Sequence, residues 1–445
     1  MIFVNRNQEI IDLQDILNEK GFQLIIIYGR RRVGKTELVL KTTEQYKRVY
    51  YLAIGEQNLP RFYKVCSQFD DSFHDLKPDY EVLFTNLKQK ADVVILDEFQ
   101  NMIYEDKNIL NLFQSIIDLN LKDSNLKMII IGSSVSMITS KVLSYKSPLY
   151  GRRTGSMNLK PIDFYAFREF FPGLTFEEYV EIFGFADGIP YYLNQIEPPF
   201  WNWLEAELDK TTSIFKDEVD FLMRYEFSKP GMYKTILEAI ARGKTKLNEI
   251  KDFIQLKRTD ISPYLKNLIE VQMIFREVPI TENINSRRGR YHIKDNFLRF
   301  WFRFIYPHLS RIEERTFNID TIKKAYSAYL GKVFEQVVKN FIIKTKLFEF
   351  DQLGRWWWRD KEIDLVGLDE KDKKVLFVEC KWQDQVNALR VMKNLKGKSS
   401  SVRWHVDDRI ESYLIFARSF YKKVSQFENV PVECYDLADM AKLMG

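Results

Sequence analysis

Cysteine is scarce. Cys66, Cys380 and Cys434 are the only three in 445 residues, with no CxxC pair and no histidine beside them at metal-ligand spacing, so neither a structural zinc module nor a disulfide framework is expected. Long apolar runs are missing as well. No uncharged stretch reaches the roughly 20 residues that a bilayer crossing needs, and Arg6 and Glu9 interrupt the N-terminus before an apolar run develops. Neither a membrane partner nor a signal peptide is expected, and the chain reads as cytoplasmic. Repeats, low-complexity tracts and disordered linkers are also lacking, and the net charge is only +5.

What is present is a large, aromatic globular protein. The hydrophobic share is 45% and the charged share 29%, with 34 Phe and 23 Tyr, and the length implies two to four domains. In the first third, Leu24 to Tyr28, Val49 to Ile54, Val93 to Leu96 and Met128 to Ile131 are short apolar blocks separated by helical patterns. That rhythm predicts an α/β fold with a parallel sheet covered on both faces. From Ile162 the aromatic residues Phe164, Phe167, Phe170 and Phe171 follow helical spacing and predict a helical lid. Beyond Lys229-Pro230-Gly231, helical patterns at Leu247 to Gln255 and Thr259 to Glu270 precede two extended runs around a polar tip at Asn283 to Gly289. Helices followed by a hairpin are the plan of a winged helix. The segment Phe297 to Tyr306, interrupted by Arg299 and Arg303, predicts a buried helix. The expected domains are residues 1–160, 161–228, 229–310 and 311–445.

The chemistry is concentrated first at Gly29-Arg30-Arg31-Arg32-Val33-Gly34-Lys35-Thr36, a GxxxxGK[ST] loop between an apolar strand and a helical run. Glycines let such a loop turn its N–H groups toward phosphates, the lysine reaches the β- and γ-phosphates, and the threonine hydroxyl meets Mg²⁺. Val93-Val94-Ile95-Leu96-Asp97-Glu98 is a buried strand ending in two carboxylates. Asp97 is expected in the Mg²⁺ shell and Glu98 as the group that polarises the attacking water. Ser133 and Ser134, at the tip of the next strand, can sense the γ-phosphate. Arg152 and Arg153 are both candidates for an arginine finger, supplied within the chain or in trans across a homo-oligomer.

These motifs, together with Phe3-Val4-Asn5-Arg6 and Glu9, Ser147-Pro148-Leu149-Tyr150-Gly151-Arg152-Arg153-Thr154 and Gly188-Ile189-Pro190-Tyr191-Tyr192-Leu193, resemble the archaeal-type ATPase family, related to AAA+ and STAND ATPases. The resemblance covers roughly residues 1–310. It implies that ATP and Mg²⁺ are the cofactors, that Asn5 to Glu9 lies near the adenine, and that Gly188-Ile189-Pro190 begins a lid contact with nucleotide. Asp187-Gly188 stands where many relatives carry two glycines.

Between Arg242 and Asp295 there are 12 Lys/Arg and 7 Asp/Glu, an excess that matches that of the whole chain. Lys257, Arg258 and Lys266 on or before the second helix, and Arg287, Arg288 and Arg290 on the wing, are therefore candidate DNA phosphate contacts. A winged helix used as a protein-docking spacer is the other reading of this module. In the tail, Glu362 to Val366 and Val375 to Lys381 form a strand pair, with Glu379 and Lys381 on one face and within reach of Asp364. This resembles the PD-(D/E)xK core of restriction-endonuclease-like α/β domains, with Asp364 and Glu379 as metal-holding carboxylates and Lys381 beside them. Glu335 matches the acidic residue often found on the preceding helix, and the motif proline is absent. The tail also resembles the uncharacterised domain that usually follows archaeal-type ATPases. Trp356-Trp357-Trp358 are packing residues or base-stacking ones. Two functions remain open: an ATP-hydrolysing protein acting on DNA with a Mg²⁺-dependent nuclease tail, or a non-cleaving ATP switch and scaffold.

Overall fold

The computed structural model describes residues 3–255 and 260–444. Two compact units emerge, one comprising Met1–Ile162, Ile189–Asn194 and Glu270–Gln272, the other Asp163–Gly188, Gln195–Ile269 and Met273–Gly445.

The first unit is built on five parallel strands: β1 (Gln23–Tyr28), β2 (Arg48–Leu52), β3 (Val93–Asp97), β4 (Lys127–Gly132) and β5 (Gly155–Asn158), in the spatial order β2-β3-β4-β1-β5. Every residue of β3 and β4 is buried, which is why their sequences run apolar without alternating. Side-chain alternation still sorts them. Leu24, Ile26, Val94 and Leu96 join a core with Phe62, Phe84 and Phe113, whereas Ile25, Ile27, Val93 and Ile95 join a second with Leu13, Leu17 and Val39. The four expected strands are present. The fifth, β5, is a half-buried edge of four residues, Gly-Ser-Met-Asn, and carries no apolar run that would reveal it.

In the second unit aromatic packing replaces the sheet as the organising device. Thr175 and Glu178 cap the helix Phe176–Ala186 reciprocally, and from this helix the Phe185 ring meets Phe215 at 5.2 Å and Phe300 at 4.9 Å. The helix Asn296–Phe300 continues into wider π-type turns over Trp301–Ile305, and Phe297, Phe300, Trp301 and Phe302 are buried, as the interrupted aromatic segment implied. Trp301 donates its indole N–H to the Phe215 carbonyl at 2.8 Å. The helices Gly231–Ala241, Leu247–Phe253 and Ser262–Glu270 precede an antiparallel hairpin of β6 (Ile274–Glu277) and β7 (Arg290–Ile293). Lys257 and Arg258 lie outside the described residues.

The tail runs from the helix Asp320–Thr345 into β8 (Gln352–Trp358), β9 (Lys361–Asp369) and β10 (Lys374–Lys381), then β11 (Val386–Asn387), the helix Ala388–Ser399, β12 (Ile410–Ala417), β13 (Phe420–Lys422), β14 (Gln426–Phe427) and β15 (Val430–Tyr435). Six strands form one mixed sheet in the order β14-β15-β12-β10-β9-β8. Strands β8, β9 and β10 form an antiparallel meander, and β12 returns parallel to β10 after its helical crossover.

Trp301→Phe keeps most of the ring but leaves the Phe215 carbonyl without its donor. Losing that hydrogen bond costs about 0.5–1.5 kcal/mol, so the urea midpoint of unfolding should fall at unchanged slope. An unaltered midpoint would show that the bond contributes nothing.

Candidate functional site

The nucleotide-loop residues sit where β1 gives way to the helix Lys35–Thr42. Gly34 precedes that helix at φ +90°, a backbone setting that side chains disfavour. Gly29 is required for a different reason. A Cβ there would lie 2.4 Å from the Leu159 carbonyl oxygen, because the chain leaving β5 runs directly against it. Lys35 is buried and folds back so that its ammonium donates to the Gly29 and Arg30 carbonyls, each at 2.9 Å. Burial pulls its pKa down from 10.5 to about 8, against the raising effect of Glu98 and Asp97.

Across the sheet, Thr36 donates its hydroxyl to Asp97 Oδ2 at 2.6 Å. Tyr50 on β2 donates to the same oxygen at 2.9 Å. Burial raises the Asp97 carboxyl, and these two hydrogen bonds work against that rise. Burial and the neighbouring Asp97 also raise the Tyr50 hydroxyl, so Tyr50 is a donor at any ordinary pH. Glu98 follows with φ +52°, a left-handed setting for a residue other than glycine that costs on the order of 1–3 kcal/mol and is typical of functional turns. Its carboxylate accepts from Ser133 Oγ at 2.5 Å and from the Gln100 amide. The oxygen donors of Thr36 and Asp97 are the type a hard divalent cation takes, and the loop beside them has a glycine with no atom near its missing Cβ. The residues present therefore fit a magnesium-bound triphosphate.

Two contributors to this site, Tyr50 and Arg32, escaped the sequence reading, and Arg6 was expected only as part of the Asn5 to Glu9 stretch. Tyr50 lies in a strand recognised only for its apolar content; alternation from the buried Tyr51 would have exposed it as a side chain of the opposite face. Arg6, at φ +74°, donates to the Lys160 carbonyl at 2.6 Å and the Val33 carbonyl at 3.2 Å while pairing with Glu9. It fastens the start of the helix Asn7–Asn18 to the phosphate loop. Arg32 places its guanidinium 3.7 Å from the Tyr191 ring centroid. Of the two arginines expected near the site, Arg152 is held in a bidentate pair with Asp118 and also donates to the Pro148 carbonyl at 2.8 Å. Arg153 lies 5.0 Å over the Tyr150 ring.

The expected second site is arranged differently from its forecast. Glu379 and Lys381 share a face and pair at 2.7 Å, but Glu379 also binds Lys398 through both carboxylate oxygens at 2.9 Å. Asp364 accepts from the Cys380 backbone N–H at 2.9 Å, and burial, with Glu335 and Glu379 nearby, raises its pKa. Glu335 pairs instead with Lys332 at 2.8 Å and with Arg355 at 3.6 Å. Among the described residues no group of three or more His, Cys, Asp or Glu is placed to hold a metal ion. In this arrangement lysine and arginine hold the outer carboxylates of the expected Glu335–Asp364–Glu379 set.

The arginines of the β6–β7 hairpin have partners of their own. Arg288 stacks 3.4 Å from the Trp358 ring centroid and pairs with Glu282. Arg290 lies 4.5 Å from Trp357 and 2.8 Å from Glu362. Both are committed to internal partners, and the tryptophans are their packing surface. Lys266 and Arg287 are exposed.

Residues 3–196 match a family profile described as an ATPase domain predominantly from Archaea, and residues 301–393 match a second, described as archaeal and bacterial proteins of unknown function. The uncharacterized protein MJECL04 of Methanocaldococcus jannaschii is 48% identical over 447 residues, spanning 99% of this chain and 100% of that one. The chain belongs to the same family as that protein. The uncharacterized ATP-binding protein MJ0423 of the same organism is 51% identical over 47 residues, 11% of this chain and 80% of that one. The Walker-type ATPase PABY2304 of Pyrococcus abyssi shares the fold at a TM-score of 0.53 and 24% identity, over 67% of this chain and 96% of that one. No described helix is long and apolar enough to cross a membrane.

Lys35 yields a signed pH prediction. With the folded pKa near 8 and the unfolded one at 10.5, the unfolded state binds the extra proton between those values. The destabilisation is full below pH 8 and is relieved as pH rises toward 10.5. Urea titrations of nucleotide-free protein should show this rise, about 3 kcal/mol at most from the size of the shift, and Lys35→Met should remove it. An identical slope in wild type and variant would refute the assignment.

Proposed function

We propose that the chain is a magnesium-dependent ATP-hydrolysing switch. The observation that carries the reading is the 2.6 Å hydrogen bond between Thr36 and Asp97, which brings the end of the phosphate loop and the acidic end of β3 to one point. Lys35 would exchange its loop carbonyls for the phosphates, relieving a buried cation with a polyanion. Thr36 and Asp97 would hold the magnesium ion, whose role when bound is to neutralise charge on the phosphate oxygens. Glu98, held by Ser133 and Gln100, would orient the attacking water and accept its proton. Ser133 couples that carboxylate to the end of β4, where a γ-phosphate contact is expected. Because Arg152 is engaged by Asp118, Arg153 is the better candidate for a finger, reaching the site of an adjacent copy in a homo-oligomer. The working division into an ATPase core at 1–160, a lid at 161–228, a winged helix at 229–310 and a nuclease-like domain at 311–445 belongs to this proposal.

A second reading, action on DNA with cleavage by the tail, has specific support. The helix–meander–helix–strand order of the tail is that of PD-(D/E)xK nucleases, and Asp364 is buried close to both Glu335 and Glu379. Cleavage would require Glu379 to leave Lys398. DNA contact would rest on Lys257, Arg258, Lys266, Arg287, Arg288 and Arg290.

Glu98→Gln should retain ATP binding and lose turnover by at least about 100-fold, the scale of a general base; wild-type turnover in that variant would remove Glu98 from the chemistry. For the tail, Mg²⁺-dependent nicking of supercoiled DNA by wild type should disappear in Asp364→Asn and Lys381→Ala. Equal nicking by all three, or none by wild type, would leave the non-cleaving switch as the function.

A further inference from the structure

The second unit encloses a cavity of about 500 Å³ whose charges do not balance. Two of its carboxylates are fully used. Glu362 pairs with Arg290 and Arg355, and Glu335 with Lys332 and Arg355. Three further cations line the same space without an acidic partner. Among the described residues Arg299 meets only neutral groups, the side-chain oxygens of Asn296 and Gln336 and the Tyr329 side chain, Arg303 donates to the Ala241 carbonyl, and Lys339 makes no hydrogen bond or ion pair. Glu277 is the one remaining carboxylate of the lining, so the cations outnumber the carboxylates even with Glu277 charged.

Uncompensated cations in a partly enclosed space are costly and call for a counter-anion. The donors tell the same story. The Nε–H groups of Arg290, Arg299 and Arg355 are buried without an acceptor among the described residues, and each such orphan needs an explanation. A phosphate monoester supplies it, since its two charges and three terminal oxygens suit several guanidinium forks at once. The cavity also exceeds what a bare phosphate ion fills and falls in the size range of organic-ligand pockets. Phe275, His292 and Tyr329 give it aromatic walls.

We propose that this cavity binds an organic phosphate monoester of about nucleotide size, with Arg299, Arg303 and Lys339 on the phosphate and the aromatic walls on the organic part. The site is separate from the phosphate loop and does not depend on ATP hydrolysis there.

The test uses the full chain carrying Lys35→Ala, which silences the phosphate loop, in calorimetric titrations with AMP, ribose 5-phosphate, adenosine and inorganic phosphate. AMP should bind, with adenosine weaker by at least about tenfold because the charge-assisted contacts are lost. Arg303→Gln and Lys339→Gln should each weaken AMP by about tenfold or more. Lys339 has no internal bond to lose, so Lys339→Gln should melt like its parent and separates lost binding from lost folding. A 5′-phosphorylated single-stranded oligodeoxynucleotide that binds more tightly than AMP would place the monoester at a strand end; weaker binding would make it a free nucleotide. Failure of AMP, ribose 5-phosphate and that oligonucleotide alike, binding of inorganic phosphate alone, or AMP affinity unchanged in both cavity variants would overturn the proposal.

Discussion

One hydrogen bond, from Thr36 to Asp97, fixes the geometry on which the nucleotide site depends. It can form only because β1 and β3 run parallel in one sheet with β4 between them, so that their carboxyl ends open on the same edge. Everything polar at that edge is then expensive. A buried lysine has a depressed pKa, a buried aspartate a raised one, and the glutamate beside them a left-handed backbone. The apolar strands beneath offset these costs, and their continuous Val/Ile runs are the sequence expression of that support.

The second unit solves a different problem. It carries a surplus of basic residues and engages several of them with aromatic rings and carboxylates. Arg288 and Arg290 settle on Trp358 and Trp357, Arg355 lies between Glu335 and Glu362, and Glu379 is shared by two lysines. Guanidinium groups tolerate this because they stack as well as form hydrogen bonds. The consequence is that net charge along the sequence overstates the free positive surface.

The phosphate loop and the acidic strand were legible because each is a contiguous motif whose chemistry is set by its own neighbours in the chain. The parallel sheet was legible for the same reason, through apolar runs, and only the short edge strand β5 lacked one. What could not be read was anything contributed by a distant stretch. Tyr50 reaches Asp97 through strand pairing, Arg6 reaches Val33 and Lys160 across the sheet, and Glu335 finds Arg355 only after the tail has folded. The hairpin arginines make the point most clearly, since nothing in their number and spacing announces Trp358 and Trp357 as partners. Alternation correctly put Glu379 and Lys381 together, but it carries no information about the lysine of a later helix that joins them.

The stacking of Arg32 on Tyr191 has a mechanical meaning. Residues 189–194 group with the nucleotide-binding unit, although the chain on either side of them belongs to the other unit. That short stretch is accordingly a tether anchored at its middle by a side chain of the phosphate loop. Arg32 is thus the point at which a side chain of the phosphate loop holds a segment that the chain enters from, and leaves toward, the other unit.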